Sequence, residues 1–171
     1  MSTGLKQYLQ QELEFVKKLV SNEFFLHIGP VSKFININEN IFEHISPMLL
    51  LGFSKSRSII NNKAYILASV VSFILLANDI HRQKEGDTGL NVLFGLYFYS
   101  QFLSFLCKYD CLEWLPELSN LICELQEAAV IKSQKNFLEL TTAEIEEIVD
   151  KDFANLCGQC CYIGATLASN D

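Results

Sequence analysis

Asn78-Asp79-Ile80-His81-Arg82 closes a long apolar stretch, with Leu75-Leu76-Ala77 directly before it. The end of a buried helix is where a metal-dependent reaction would place its first ligands. A Mg²⁺ ion asks for several converging oxygens, mostly carboxylate, completed by water and phosphate. This segment offers one carboxylate beside one amide, and Arg82 follows with the sign that repels a cation. The frame is that of a metal-binding helix end without its donors. Read from the residues, it predicts a polar helix C-terminus.

The other reactive side chains give weaker signals. Cys157, Cys160 and Cys161 share one helical face. A soft-metal or redox site there needs a fourth ligand, and Cys107, Cys111 or Cys123 would serve only if the fold brought them near. Buried structural thiols are the expectation. His27, His44 and His81 have no metal-like spacing and receive no role. The net charge of -7, with no basic cluster, argues against nucleic acid, because phosphate neutralisation needs Lys and Arg on one face.

Helices must position these groups. Half of the 171 residues are hydrophobic, and only three prolines and eight glycines interrupt them. That composition suits one domain over 1–171 with long helices and a sizeable core. Leu5 to Val20 reads as an amphipathic helix with Leu5, Tyr8, Leu9, Val16 and Leu19 on one face. Gly29-Pro30 is a break. A second helix is expected to start near Asn38 or Asn40, with Ile41, Phe42, Ile45 and Leu49 inward and Pro47 kinking or splitting it. Asn61-Asn62 opens the first apolar helix, and the polar turn Lys84 to Gly89 leads into the second. The next helix spans roughly Glu113 to Ser133, with Pro116 in its first turn, where its missing N–H costs nothing. Thr141-Thr142-Ala143-Glu144 is a capping box that opens the last helix. That helix carries the seam Val149, Phe153, Leu156, Cys160, Ile163 and Leu167. Its small residues Gly158, Cys161, Gly164, Ala165 and Ala168 allow a close neighbour. The fold class read from this pattern is all-α.

Ala64 to Ala77 is too short for a bilayer span, and Leu90 to Cys107 is interrupted by Asn91, Ser100, Gln101 and Ser104. Both are expected to be core helices buried on nearly all sides, and the chain is expected not to be transmembrane. The N-terminal segment mixes Glu12, Glu14, Lys17 and Lys18 among its apolar residues, unlike a signal peptide. A cytoplasmic protein with reduced cysteines is the expectation.

The order of these segments resembles the N-terminal half of the trans-polyprenyl diphosphate synthase family, over nearly the whole chain. Catalytic members carry Asp-Asp-x-x-Asp after a buried helix; Asn78-Asp79-Ile80-His81-Arg82 stands there. They carry Val-Leu-x-Gly-Asp-Tyr-Leu on the next buried helix; Val92-Leu93-Phe94-Gly95-Leu96-Tyr97-Phe98 matches, with Leu96 in place of the Asp. Ile122-Cys123-Glu124-Leu125 matches the following helix, with Ala128-Ala129 replacing Gly-Glu and Lys132 replacing Gln. Asp152 and Phe153 replace the Lys-Thr that touches substrate diphosphate, in a helix where Ile148, Ala154, Leu156 and Cys161 to Ala168 fit. The family's upstream diphosphate-binding motif survives at most as Lys55 and Arg57.

The resemblance therefore implies a helical bundle like the N-terminal half of the isoprenoid synthase fold, with packing residues kept and chemical positions changed. The family's reaction ionises an allylic diphosphate through Mg²⁺ held by two carboxylate clusters. By resemblance, this chain looks like the small, non-catalytic subunit of a heterodimeric hexaprenyl- or heptaprenyl-type synthase making quinone side chains. No catalytic residue, cofactor or metal is then expected in it, and Mg²⁺ belongs to a full-length catalytic partner. The implied partner surface is Phe94, Tyr97, Tyr99, Phe102, Phe105 and Leu106. Phe73 and Ile74 fall in the family's chain-length zone. Alone, the chain is expected to be inactive and open to homodimerisation. A stand-alone helical module binding an apolar ligand or a protein partner is the alternative, and an enzyme built on the cysteines is a weaker third.

Overall fold

The computed structural model describes residues 4, 7–28, 40–41, 44–56, 60–83 and 88–169. Every regular element among them is helical. The order is α1 (Gln10–Ile28), α2 (Ile45–Ser54), α3 (Asn62–Arg82), α4 (Thr88–Lys108), α5 (Leu115–Gln134), α6 (Thr142–Val149) and α7 (Asn155–Ser169). Short 3-10 turns at Leu112–Trp114 and Phe137–Glu139 join α4 to α5 and α5 to α6. A π-helical turn, Asp150–Ala154, links α6 to α7.

α3 is the centre of the bundle, packed by α1, α2, α4, α5 and α7. Its residues are buried almost without interruption from Ala64 to Ile80. Two serines inside it are tolerated because Ser69 and Ser72 donate to the carbonyls of Tyr65 and Ala68, one turn back, so neither hydroxyl is left unsatisfied. Its start follows the sequence signal: the Asn61 side chain accepts from the Lys63 N–H at 2.8 Å.

α4 packs mainly along α3 through Phe94, Phe98, Phe102, Phe105 and Leu106. Phe73 of α3 stacks on Phe98 at 6.2 Å and meets Phe105 edge-on at 5.0 Å, arrangements that add to the area each ring buries. The outer face of α4 stays exposed, so the expectation of burial on nearly all sides holds for α3 and fails for α4. Both helices are long and apolar enough to cross a membrane by length and composition, with 83% of the α3 window buried against 39% of the α4 window.

Two helix boundaries differ from expectation. α1 runs on to Ile28, past Val20. A 3-10 turn occupies 40–41, and α2 itself begins at Ile45 with His44 as its N-cap, so the expected helix is split. Pro47 fits that boundary: it sits in the first turn of α2, where no N–H is needed, so of the two expected outcomes the helix is split there and not kinked. Asn38, Phe42, Gly29-Pro30 and most of the Lys84 to Gly89 turn lie outside the described residues.

The capping box at Thr141 is formed in both directions. Hydrogen bonds from Lys135 and then from Thr141 hold the Glu144 carboxyl at about 2, well below its ordinary value. α7 lies tight against α2, where a Cβ on Gly164 would come within 2.4 Å of the Leu50 carbonyl oxygen. Among the described residues, nothing lies within 4 Å of a Cβ placed on Gly158, so of those two glycines only Gly164 lets a helix in.

Candidate functional site

The C-terminal end of α3 brings His81 and Arg82 of the Asn78 to Arg82 segment to the wall of a cleft between α3 and α5. The cleft encloses about 810 Å³, and His81, Arg82, Gln126, Lys132, Lys135 and Glu139 are among the residues that line it.

Each polar residue of the segment is directed differently. Asn78 is buried, and among the described residues its side-chain oxygen has no hydrogen-bond partner. Asp79 accepts from the Gln83 side-chain amide at 3.3 Å. His81 lies against α4, where a Cβ on Gly95 would overlap its Nε2 at 1.8 Å. The His81 ring also sits 5.7 Å from that of Tyr99. Gln126 of α5 donates to the Tyr99 hydroxyl at 2.8 Å, tying α4 to α5 beside the cleft. Burial pushes the Tyr99 hydroxyl up, with the Gln126 hydrogen bond and the charge of Arg82 working against it.

Arg82 turns to the π-helical turn. Its two terminal nitrogens form a fork on the Asp152 carboxylate, with Nη1 to Oδ2 at 3.2 Å and Nη2 paired to Oδ1. Nη2 also reaches the Leu125 carbonyl at 3.5 Å. Lys132 of α5 adds Nζ to Asp152 Oδ2 at 2.6 Å. Burial alone would raise the Asp152 carboxyl, but hydrogen bonds from Arg82 and Lys132 outweigh it and hold the group below its ordinary value. Three positions singled out separately in the sequence therefore meet in one ion cluster.

The arrangement does not fit a divalent cation. Asp79 is the one carboxylate of the segment, and the side chain three residues on is a guanidinium already engaged by Asp152. Among the described residues, no group of three or more His, Cys, Asp or Glu converges as a metal set. Cys157 and Cys161 are half-buried and Cys160 is buried, while Cys107 and Cys123 are exposed. Cys157 Sγ lies 3.8 Å from Ser46 Oγ, and burial pushes all three thiols of that helix up, the direction of inert structural cysteines.

The remaining candidates are placed as follows. Phe73, Ile74, Phe94, Phe102, Phe105 and Leu106 are buried within the chain's own core. Tyr97 and Tyr99 are half-buried, and burial raises the Tyr97 hydroxyl to about 12. Leu96 faces outward on α4. Lys55 pairs with Glu12 at 2.5 Å and lies over the Tyr8 ring; Arg57 is outside the described residues. Sequence reasoning missed the Arg82–Asp152–Lys132 cluster and the Gln126–Tyr99 bond. Opposite charges at degenerate positions were the available signal, but they are separated by 70 and 20 residues.

No protein-family model matches the chain, and no curated protein matches it significantly. Among solved structures, it is similar to a polyprenyl synthase from Caulobacter crescentus, crystallised with calcium and isoprenyl diphosphate. The TM-score is 0.80 at 17% sequence identity, over 100% of this chain and 57% of that one. The chain thus spans a little over half the length of this neighbour, and it adopts the all-helical isoprenoid synthase fold.

Proposed function

We propose that the chain is an accessory subunit of a heterodimeric polyprenyl diphosphate synthase, acting in the synthesis of quinone side chains. It supplies helices that support a full-length catalytic partner and helps to set product length. The partner holds the Mg²⁺ ions and the diphosphates, and this chain has no activity alone.

The observation that carries this reading is the outer face of α4. Val92, Leu93, Leu96 and Leu103 are 49%, 63%, 56% and 45% exposed on a helix already anchored by four buried phenylalanines and a leucine. A run of exposed large apolar side chains along one helix is the kind of surface that meets a partner. The aromatic residues expected to touch the partner are mostly spent inside, so the proposed contact surface is this outer row, with Tyr97 and Tyr99 at its margins. The fold supports the family side of the proposal, and the ion cluster at the cleft supports the non-catalytic side.

Reconstitution tests it. The chain is co-expressed with a full-length synthase carrying two aspartate-rich motifs. The complex is then given farnesyl diphosphate, isopentenyl diphosphate and Mg²⁺. A stable complex that elongates prenyl chains, with no product from this chain alone, is the expected result. Partner activity and product length indifferent to this chain would overturn it.

A further inference from the structure

The ion cluster has a geometry that a surface salt bridge lacks. One carboxylate, Asp152, collects a forked pair from Arg82 and a third bond from Lys132. The donors come from α3 and α5, and the acceptor comes from the π-helical turn that interrupts the α6–α7 helix. Single π-turns inserted into α-helices are frequently found at functional sites. A planar guanidinium beside an ammonium is also a donor set suited to an anion with several oxygens. Asp152 is the least exposed of the three, at 19% for its side chain, against 33% for Arg82 and 40% for Lys132.

We propose that Asp152 is a built-in anion, seated where a free polyanion such as diphosphate would otherwise bind between Arg82 and Lys132, so that these two cations at the cleft wall are neutralised by the chain itself. The disagreement with a metal-dependent site is then specific. By the resemblance drawn from the sequence, Arg82 stands at a carboxylate position of the catalytic pattern and Asp152 at a lysine position, and the two opposite charges satisfy each other. The cluster joins α3, α5 and the π-turn without metal and keeps diphosphate out of this chain. This inference rests on the geometry of the ion cluster and not on the subunit reading, so either can fail without the other.

The test uses the full chain, metal-free, with inorganic pyrophosphate as probe in isothermal titration calorimetry. Asp152→Asn is expected to raise pyrophosphate affinity by about tenfold, the scale of one charge-assisted hydrogen bond gained. Adding Arg82→Gln and Lys132→Gln to that variant should abolish the gain. Thermal melting provides a second arm: Asp152→Arg alone should lower the melting temperature, and Asp152→Arg combined with Arg82→Asp should recover most of it. Unchanged pyrophosphate affinity in Asp152→Asn would overturn the proposal. So would a reversed pair that melts no higher than Asp152→Arg.

Discussion

His44 shows how one side chain can tie stability to pH near neutrality. It caps α2 with Nδ1 as acceptor, 3.3 Å from the Ser46 N–H and 3.0 Å from the Ser46 hydroxyl. Only a neutral imidazole can offer that nitrogen. Burial lowers the His44 pKa below 6.5, while the charge of Asp152 pulls the other way. Because the folded value lies below the unfolded one, stability is complete above about pH 6.5 and is lost as pH falls through the folded value. Urea melts between pH 7.5 and 5.5 should show that loss, and His44→Asn should remove the titration while keeping a cap. A loss of equal size in the variant would assign it to other groups. The histidine was visible in the sequence but its role was not, since a cap depends on where Pro47 starts the helix.

At the scale of elements, the helices that announce their own ends were legible. Asn61, Pro116 and the Thr141–Glu144 box all act as the sequence implied, because capping is local chemistry. The π-turn was not legible: Val149 and Phe153 continue the apolar spacing of Leu156, Cys160, Ile163 and Leu167, but the extra residue shifts the register, so Val149 and Phe153 are exposed and Ile148 is buried in their stead. Small residues were only half informative: spacing placed Gly158 and Gly164 on α7 without saying which one meets α2. The structure separates them. Gly164→Ala would drive a Cβ into the Leu50 backbone, which cannot swing aside as a side-chain end can. A cost of about 1–3 kcal/mol is expected in chemical denaturation, as for other overpacked contacts. Gly158→Ala meets nothing within 4 Å and should stabilise by roughly 0.5–1 kcal/mol through helix propensity. Equal effects at the two positions would mean that α2 and α7 are not in close contact.

At the scale of the whole molecule, α3 and α4 look alike in composition and differ in surroundings. Their apolar content predicted two core helices. α3 has neighbours on every side, whereas α4 is spread along α3 and left open opposite it. Composition cannot tell these cases apart, because the difference lies in what else packs there. The outer row of α4 therefore discriminates between a surface that merely happens to be apolar and a subunit contact. Leu93→Glu with Leu96→Glu changes only exposed positions, so the chain alone should keep its stability to within about 0.5 kcal/mol per site. Phe98→Ala, one turn away on the buried face, should cost about 3–5 kcal/mol in the same assay. With the partner present, the order should invert: the glutamates place unpaired charge in a desolvated contact and break the complex. Co-purification and prenyl-chain elongation would read that loss, while melting of the isolated chain confirms that the fold is intact. A complex that tolerates both glutamates would place the partner elsewhere and leave the outer face of α4 as ordinary surface.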